Sequence, residues 1–420
     1  MTRLEEITSA AGAGVARPGE AERDAIDGVT PGVVVAPATA DILAATLAWA
    51  RQSRLSTVIR GSGSKLAWGR PPQSVDVAID MRRLDAVIRH ASGDLIATVE
   101  AGASLRSVNA VLAQAGQVLP LDPPHASQAT IGGLIATNDS GPLRHRFGAP
   151  RDLILGVHVA TTDGMLARSG GAVVKNVAGY DLPKFFCGSF GSLGAIVSAT
   201  FRLAPLPRTS RTVVATTSDV DLLATAVRAI MGSQLDPTTV EVDVDLSRSS
   251  ASAVLLVQFT SPASSVDDQV RQARALFGAS GWSVAAVEDV EEDACWREHR
   301  ARSDARTGLV ARLAWRPSEL DTVIAALSRD AAWQRARLVG RASLGSGFLH
   351  VEGDAAVQAA SIEALRLCNH VRHVTVVQAD RVVRSRTDLW GVPPERRQLL
   401  DAIKLALDPE RILNAGRGPL

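Results

Sequence analysis

Three glycine-rich segments hold the residue types whose spacing could do chemistry. Arg60-Gly61-Ser62-Gly63-Ser64 follows an apolar run, and glycines separated by serine permit positive φ and close backbone approach. Successive N–H groups and two hydroxyls could then surround a phosphate, although an ordinary turn has the same composition. A dinucleotide fingerprint would need a third glycine, and a Walker loop would need a Gly-Lys pair that the chain lacks. The second segment runs from Pro120 to Gly141, with a proline-stiffened approach before Thr130, Gly132 and Gly133. It reads either as a short helix aiming its N-terminus at an anion or as a glycine-bearing helix packed close to a neighbour. His125 by itself is a structural histidine rather than a base. The third segment, Gly170 to Val197, contains the only tyrosine, Tyr180, together with Lys175, Lys184 and Cys187. No base or cation pattern flanks Cys187, which is assigned a small apolar role.

The elements that must position these segments follow from periodicity. A buried strand at 33–36, an amphipathic helix over about 40–53 and a strand at 57–60 lead straight into the first glycine loop. Strand-like runs follow at 75–80, 87–91, 94–102, 153–161, 165–169 and 193–203, with a helix near 104–114. Pro205-Leu206-Pro207 marks a boundary, so the first domain is 1–207. Residues 208–380 spell strand, helix, two strands, helix, strand twice, which predicts a cap of two ferredoxin-like units. The charged linker 288–307 reads as a solvated helix between them. Residues 381–420 form a C-terminal helix and a tail, Asp408 to Arg417, returning to the first domain. The fold class is therefore α+β.

Composition excludes several functions. With 45 Lys+Arg against 44 Asp+Glu in 420 residues, the net charge of +1 provides no field for nucleic acid. Three scattered cysteines encode neither a disulfide framework nor a metal cluster, so no metal is expected. No apolar run approaches the roughly 18 residues of a membrane span, and the N-terminus lacks the apolar core of a signal peptide. These features predict a cytoplasmic protein, with peripheral attachment to the inner face of the membrane through partners left open. The chain has only four lysines: Lys65, Lys175, Lys184 and Lys404. The first three border the glycine-rich segments, where a compact ammonium in an arginine-rich chain suggests a steric or hydrogen-bond requirement.

Together the motifs resemble a known family. Asp122-Pro-Pro-His125, Ser140-Gly-Pro-x-Arg144, Arg151-Asp-Leu-Ile-Leu-Gly156, Val173-Val-Lys-Asn-Val-Ala-Gly-Tyr-Asp181, Gly188-Ser-Phe-Gly-Ser-Leu-Gly-Ala-Ile196 and Ile412-Leu-Asn-Ala-Gly-Arg417 are similar to the FAD-binding domain of the vanillyl-alcohol oxidase/p-cresol methylhydroxylase (PCMH) type. Within it they look like the FAD-binding E subunit of bacterial glycolate oxidase. The resemblance covers the first 205 residues strongly, the middle only in architecture and the last 15 moderately.

It implies a PCMH-type domain of two subdomains holding an extended FAD. Its pyrophosphate would be surrounded by Gly61, Ser62, Gly63 and Ser64 and by the turn from Thr130 to Gly132 and Gly133, with Arg60, Pro120, His125, Ala126 and Gly141 also among the cofactor-binding residues. The adenine end would lie near Thr137–Ser140 and the main chain around Gly191, Gly194 and Ile196. Lys175, Asn176, Gly179 and Tyr180 would complete the flavin segment, and Asn414 and Arg417 would stand near the isoalloxazine as catalytic candidates. Covalently flavinylated relatives carry a histidine in the first glycine loop, so non-covalent FAD is implied. The implied partners are a D-type FAD-linked catalytic subunit and an iron–sulfur subunit, and the implied substrate is a small 2-hydroxy acid. Catalytic relatives carry a His-x-His element where this chain reads Ser343 to Asp354 with His350 alone. His370 and His373 are read as solvated or structural. Self-sufficient dehydrogenation of a 2-hydroxy acid, and a purely structural FAD scaffold, are the alternatives.

Overall fold

The computed structural model describes residues 2–171, 181–247, 252–278, 281–305, 307–329 and 335–419. The chain divides into two units: Met1–Ser140, Phe147–Leu206 and Val392–Leu420 form the first, and Gly141–Arg146 with Pro207–Gly391 form the second.

The first unit contains two main sheets. Strands β1 (Ala16–Pro18), β2 (Val33–Val35), β3 (Thr57–Arg60) and β4 (Val77–Asp80) lie in the order β1-β2-β4-β3, with β2, β4 and β3 parallel. β2 and β4 are buried throughout, which is why they read as continuous apolar runs rather than alternating ones. Helix Ala40–Gln52 makes the crossover from β2 to β3. Thr39 caps it by accepting the Ile42 N–H at 3.3 Å, and Leu43, Leu47 and Ala50 bury its apolar stripe. The second sheet uses β5 (Val87–Ala91), β6 (Ile96–Glu100), β8 (Ile154–Ala160), β9 (Leu166–Gly170) and β10 (Ala195–Arg202), antiparallel in the order β5-β6-β10-β8-β9. A short pair, β7 (Gln117–Val118) and β11 (Ala204–Pro205), stands apart. One apolar cluster, from Ile7 to Leu413, joins both sheets.

The second unit is an eight-stranded antiparallel sheet of β12 (Thr209–Thr217), β13 (Thr239–Asp245), β14 (Ser252–Ser261), β15 (Ser283–Val287), β16 (Leu309–Ala314), β17 (Ala336–Arg341), β18 (Ser346–Val351) and β19 (His373–Gln378). Its order is β15-β12-β14-β13-β17-β18-β16-β19, so the two halves meet edge to edge at β13 and β17. Val213, Val242, Leu255, Leu338, Leu349 and Val376 point to one face and form its core with residues of the covering helices, such as Leu223 and Ile362.

Two expectations change here. The chain leaves this unit at Gly391 rather than at 380, because Val383 and Leu389 belong to its core and Val376 N–H donates to Leu389 C=O at 2.8 Å. The charged linker is solvated on one side only: helix Asp289–Ser303 packs its other face on the sheet's polar face, with Glu292, Trp296 and His299 buried. Glu292 Oε1 accepts from Ser210 Oγ and Thr212 Oγ1 at 2.7 Å each and from Gln258 Nε2 at 2.9 Å. Trp296 Nε1 donates to Thr212 Oγ1 at 2.8 Å, and His299 Nε2 lies 3.1 Å from Glu241 Oε2. Glu292→Ala strands three donors under that helix and is expected to cost about 2–3 kcal/mol, read as a fall in the urea midpoint at unchanged m-value.

Candidate cofactor site

In the first unit β3 delivers the chain to Arg60, and the following loop opens a partly enclosed cavity that the glycine segments, helix Ile131–Thr137 and the C-terminal tail line together. The Arg60 guanidinium is turned to acids: Nη2 lies 2.7 Å from Asp24 Oδ1 and 3.5 Å from Asp80 Oδ2. What the loop presents to the cavity is mainly backbone and hydroxyl. Gly61 is sterically obligatory, because a Cβ there would sit 2.1 Å from Thr130 Oγ1. Lys65 Nζ pairs with buried Asp139 Oδ2 at 3.0 Å and lies 5.9 Å from the centre of the Trp68 ring. The Trp68 and Phe190 rings, both on the wall, are 6.1 Å apart.

Helix Ile131–Thr137 forms the opposite wall but does not present a free N-terminus. Ile131 N–H is spent on Ala103 C=O at 3.0 Å and Gly132 N–H on Ala101 C=O at 2.7 Å, which leaves Gly133 of the first three. The expected anion-facing helix end is thus reduced to little more than one amide.

The C-terminal tail closes the site. Thr57 N–H donates to Ile412 C=O at 2.8 Å and Asn414 N–H to Thr57 C=O at 2.9 Å, so the tail adds a parallel bridge to β3. Asn414 Nδ2 donates to Phe190 C=O, while the buried Asn414 Oδ1 accepts no hydrogen bond among the described residues. Arg417 donates to Leu66 C=O and stands 3.7 Å from Asp27 Oδ2.

Of the sequence-derived candidates, Arg60, Gly61, Ser62, Gly63, Ser64, Thr130, Gly132, Gly133, Thr137, Gly191, Gly194, Ile196, Asn414 and Arg417 line the cavity. Pro120, His125, Ala126 and Ser140 do not, and Gly141 falls in the second unit, where its C=O accepts from Arg341 at 3.3 Å. Lys175, Asn176, Gly179 and Tyr180 lie outside the described residues. Lys184, expected at a cofactor wall, instead makes a half-exposed local pair with Asp181 at 2.7 Å. Trp68, Phe190 and Leu66 were missed, although each adjoins a glycine segment that had been marked. Burial pushes the Cys187 thiol up to about 12, which suits an apolar role. In the second unit, burial pulls the His350 imidazole down to about 4, so the ring is neutral at pH 7. Among the described residues no group of three or more His, Cys, Asp or Glu is placed to hold a metal ion, and no helix is long and apolar enough to cross a membrane.

A family model described as FAD binding domain matches residues 31–170, the stretch that builds the glycine loop and the helix wall. Residues 31–170 are an FAD-binding domain. The cofactor is FAD. The fold is that of p-cresol methylhydroxylase, with a TM-score of 0.76 at 16% identity over 99% of this chain and 95% of that one. The glycolate oxidase subunit GlcD of Bacillus subtilis is 29% identical over 68% of this chain and 62% of its own. The glycolate oxidase subunit GlcE of Escherichia coli is 40% identical over 36% of this chain and 43% of its own. Both alignments span under two thirds of the relative. A D-2-hydroxyglutarate dehydrogenase of Xanthomonas citri is 26% identical over 92% of this chain and 89% of its own.

The residues present fit FAD. They supply a glycine loop packed so closely on Thr130 that Gly61 admits no side chain, an orphaned buried acceptor at Asn414, and Lys65, the lysine of the wall among the described residues, already neutralised by Asp139. A dinucleotide pyrophosphate can be held by such backbone donors without cationic excess.

Proposed function

We propose that the chain is the FAD-binding, E-type subunit of a glycolate oxidase complex that oxidises a small 2-hydroxy acid to the 2-oxo acid. A D-type flavoprotein and an iron–sulfur chain would be its partners, and FAD would be held non-covalently. The observation that carries this reading is the 40% identity to GlcE over 154 residues, alongside the similarity to GlcD. When bound, the flavin supplies the two-electron chemistry. This chain's residues orient it: the 61–64 loop and Gly133 offer N–H groups, Asn414 offers an acceptor, and Trp68, Phe190 and Leu66 exclude water. Arg417 and Asn414 are the residues proposed nearest the reacting ring. The loop Arg60–Ser64 holds no histidine, where flavin-linking relatives carry one, which supports a dissociable cofactor. The complex would work in the cytoplasm or at the inner face of the membrane.

The whole-length similarity to a dehydrogenase of a 2-hydroxy acid favours a second reading, in which the chain oxidises substrate unaided. The lone, neutral His350 supports the subunit reading over it. The purified chain is expected to show the two visible bands of oxidised flavin and to release it into the supernatant on acid precipitation. Anaerobic glycolate or D-lactate should leave those bands unbleached until the partner subunits are added. Bleaching by the chain alone would replace the subunit reading with the second one.

A further inference from the structure

Lys404 is buried in a helix that otherwise turns most of its side chains outward: of Pro394–Leu407 it is the one fully buried residue. Its ammonium donates to Ser192 C=O at 2.7 Å, to Leu413 C=O at 2.8 Å and to Asp408 Oδ2 at 2.7 Å, which uses all three of its protons. Asp408 in turn accepts the N–H groups of Ile412 and Leu413 at 3.2 and 2.8 Å. The group therefore ties together two separate pieces of the cavity wall. Ser192 lies in the loop between Gly191 and Gly194, and Leu413 immediately precedes Asn414. Those pieces also touch directly: a Cβ on Gly191, whose φ is +67°, would stand 3.0 Å from Asn414 Nδ2.

We infer that Lys404 is a positioning residue for the cofactor. It holds the terminal segment in register with the 191–194 loop, so that the free acceptor Asn414 Oδ1 meets an N–H or O–H donor of the bound dinucleotide. The inference rests on the reading that FAD occupies this cavity. Lys404 lines no part of the cavity and acts through Asn414. Lysine suits the task because only a three-proton group on a long stem reaches two main-chain carbonyls and a carboxylate at once.

The test is a double-mutant cycle on the full chain, with the FAD dissociation constant measured by titrating apoprotein and following flavin fluorescence. Lys404→Met and Asn414→Leu are each expected to raise that constant about tenfold, the size of one well-made hydrogen bond. The double variant should be no worse than either single one. Trypsin should cut after Arg411 or Arg417 faster in Lys404→Met, and FAD should protect wild type but not this variant. Asp408→Asn keeps the volume of its site and should reproduce the loss in milder form, which covers the case where Lys404→Met does not fold. A wild-type constant in Lys404→Met, or losses that add in the double variant, would overturn the positioning role. Failure of wild-type apoprotein to take up FAD would instead strike the underlying assignment of the cavity.

Discussion

Gly61→Val is expected to yield a folded protein that purifies without flavin. The added Cβ would lie 2.1 Å from Thr130 Oγ1, 2.9 Å from its Cγ2 and 3.0 Å from its Cβ, so it meets a branched side chain along its whole length. Thr130 cannot swing away cheaply. Its side chain makes no capping bond, but it is buried at the start of helix Ile131–Thr137 and its backbone is bridged to Ser104, which holds its Cβ in place. The glycine loop must therefore move into the space the pyrophosphate would occupy. Overpacking of this kind costs about 1–3 kcal/mol; because the strain falls on the binding wall, its upper end is a loss of roughly a hundredfold in affinity. The visible spectrum and an FAD titration read the effect, and far-ultraviolet circular dichroism verifies the fold. Thr130→Gly removes the obstructing side chain, so Gly61→Ala combined with Thr130→Gly should regain flavin that Gly61→Ala alone loses. Full flavin content in Gly61→Val would mean that the cradle is not where FAD binds.

The glycine loop was legible because local chemistry marks it: a strand ends at Arg60 and glycines begin at once. The helix wall was half legible. Thr130 and the glycine pair announced a helix start, but nothing in the segment says that Ile131 and Gly132 spend their amides on Ala103 and Ala101. Lys404 was opaque for a different reason. On the helical period it shares a face with Leu400, Ile403 and Leu407, and a lysine there reads as a solvated edge unless the partners Ser192 and Leu413, 212 and 9 residues away, are known. Of the lysines singled out for the cofactor walls, Lys65 lines the cavity, Lys184 does not and Lys175 lies outside the described residues. The fourth holds the tail. The packing of the linker helix was hidden in plain composition. Its Glu and Arg residues looked solvated, yet β13 alternates Val240, Val242 and Val244 with Glu241, Asp243 and Asp245. A strand with acids on one face needs partners there, and His299 and Arg302 meet Glu241 and Asp243.

Asp24→Ala is expected to be the most destabilising single change outside the apolar core. Asp24 has no exposure and accepts two bonds from Arg17, at 2.6 and 2.8 Å, one from Arg60 at 2.7 Å and one from the Glu20 N–H at 3.0 Å. Arg17 is partly exposed and recovers water when the acid is removed, whereas the Arg60 side chain is 8% exposed and does not. Its remaining acid, Asp80, stands at 3.5 Å and is already engaged by Arg82 at 2.6 Å. Leaving such a charge uncompensated costs about 3 kcal/mol. Because Arg60 ends β3, the loss should loosen the glycine loop and lower flavin content along with the melting temperature. Asp24→Asn keeps the shape and removes only the charge, so it should fall between wild type and alanine. The same carboxylate gives a pH signature of known sign. Hydrogen bonds from Arg17, then Arg60, hold it well below the ordinary carboxylate range, against the opposing effect of burial. Its folded pKa is therefore lower than the unfolded value near 4, and its stabilisation is fully present above about pH 4 and drains away as pH falls further. Wild-type melting temperature should accordingly drop more steeply below pH 4 than that of Asp24→Asn, which has no proton to gain at this position. Parallel acid profiles for the two proteins would show that the arginines are neutralised by other groups and that Asp24 is dispensable to the loop.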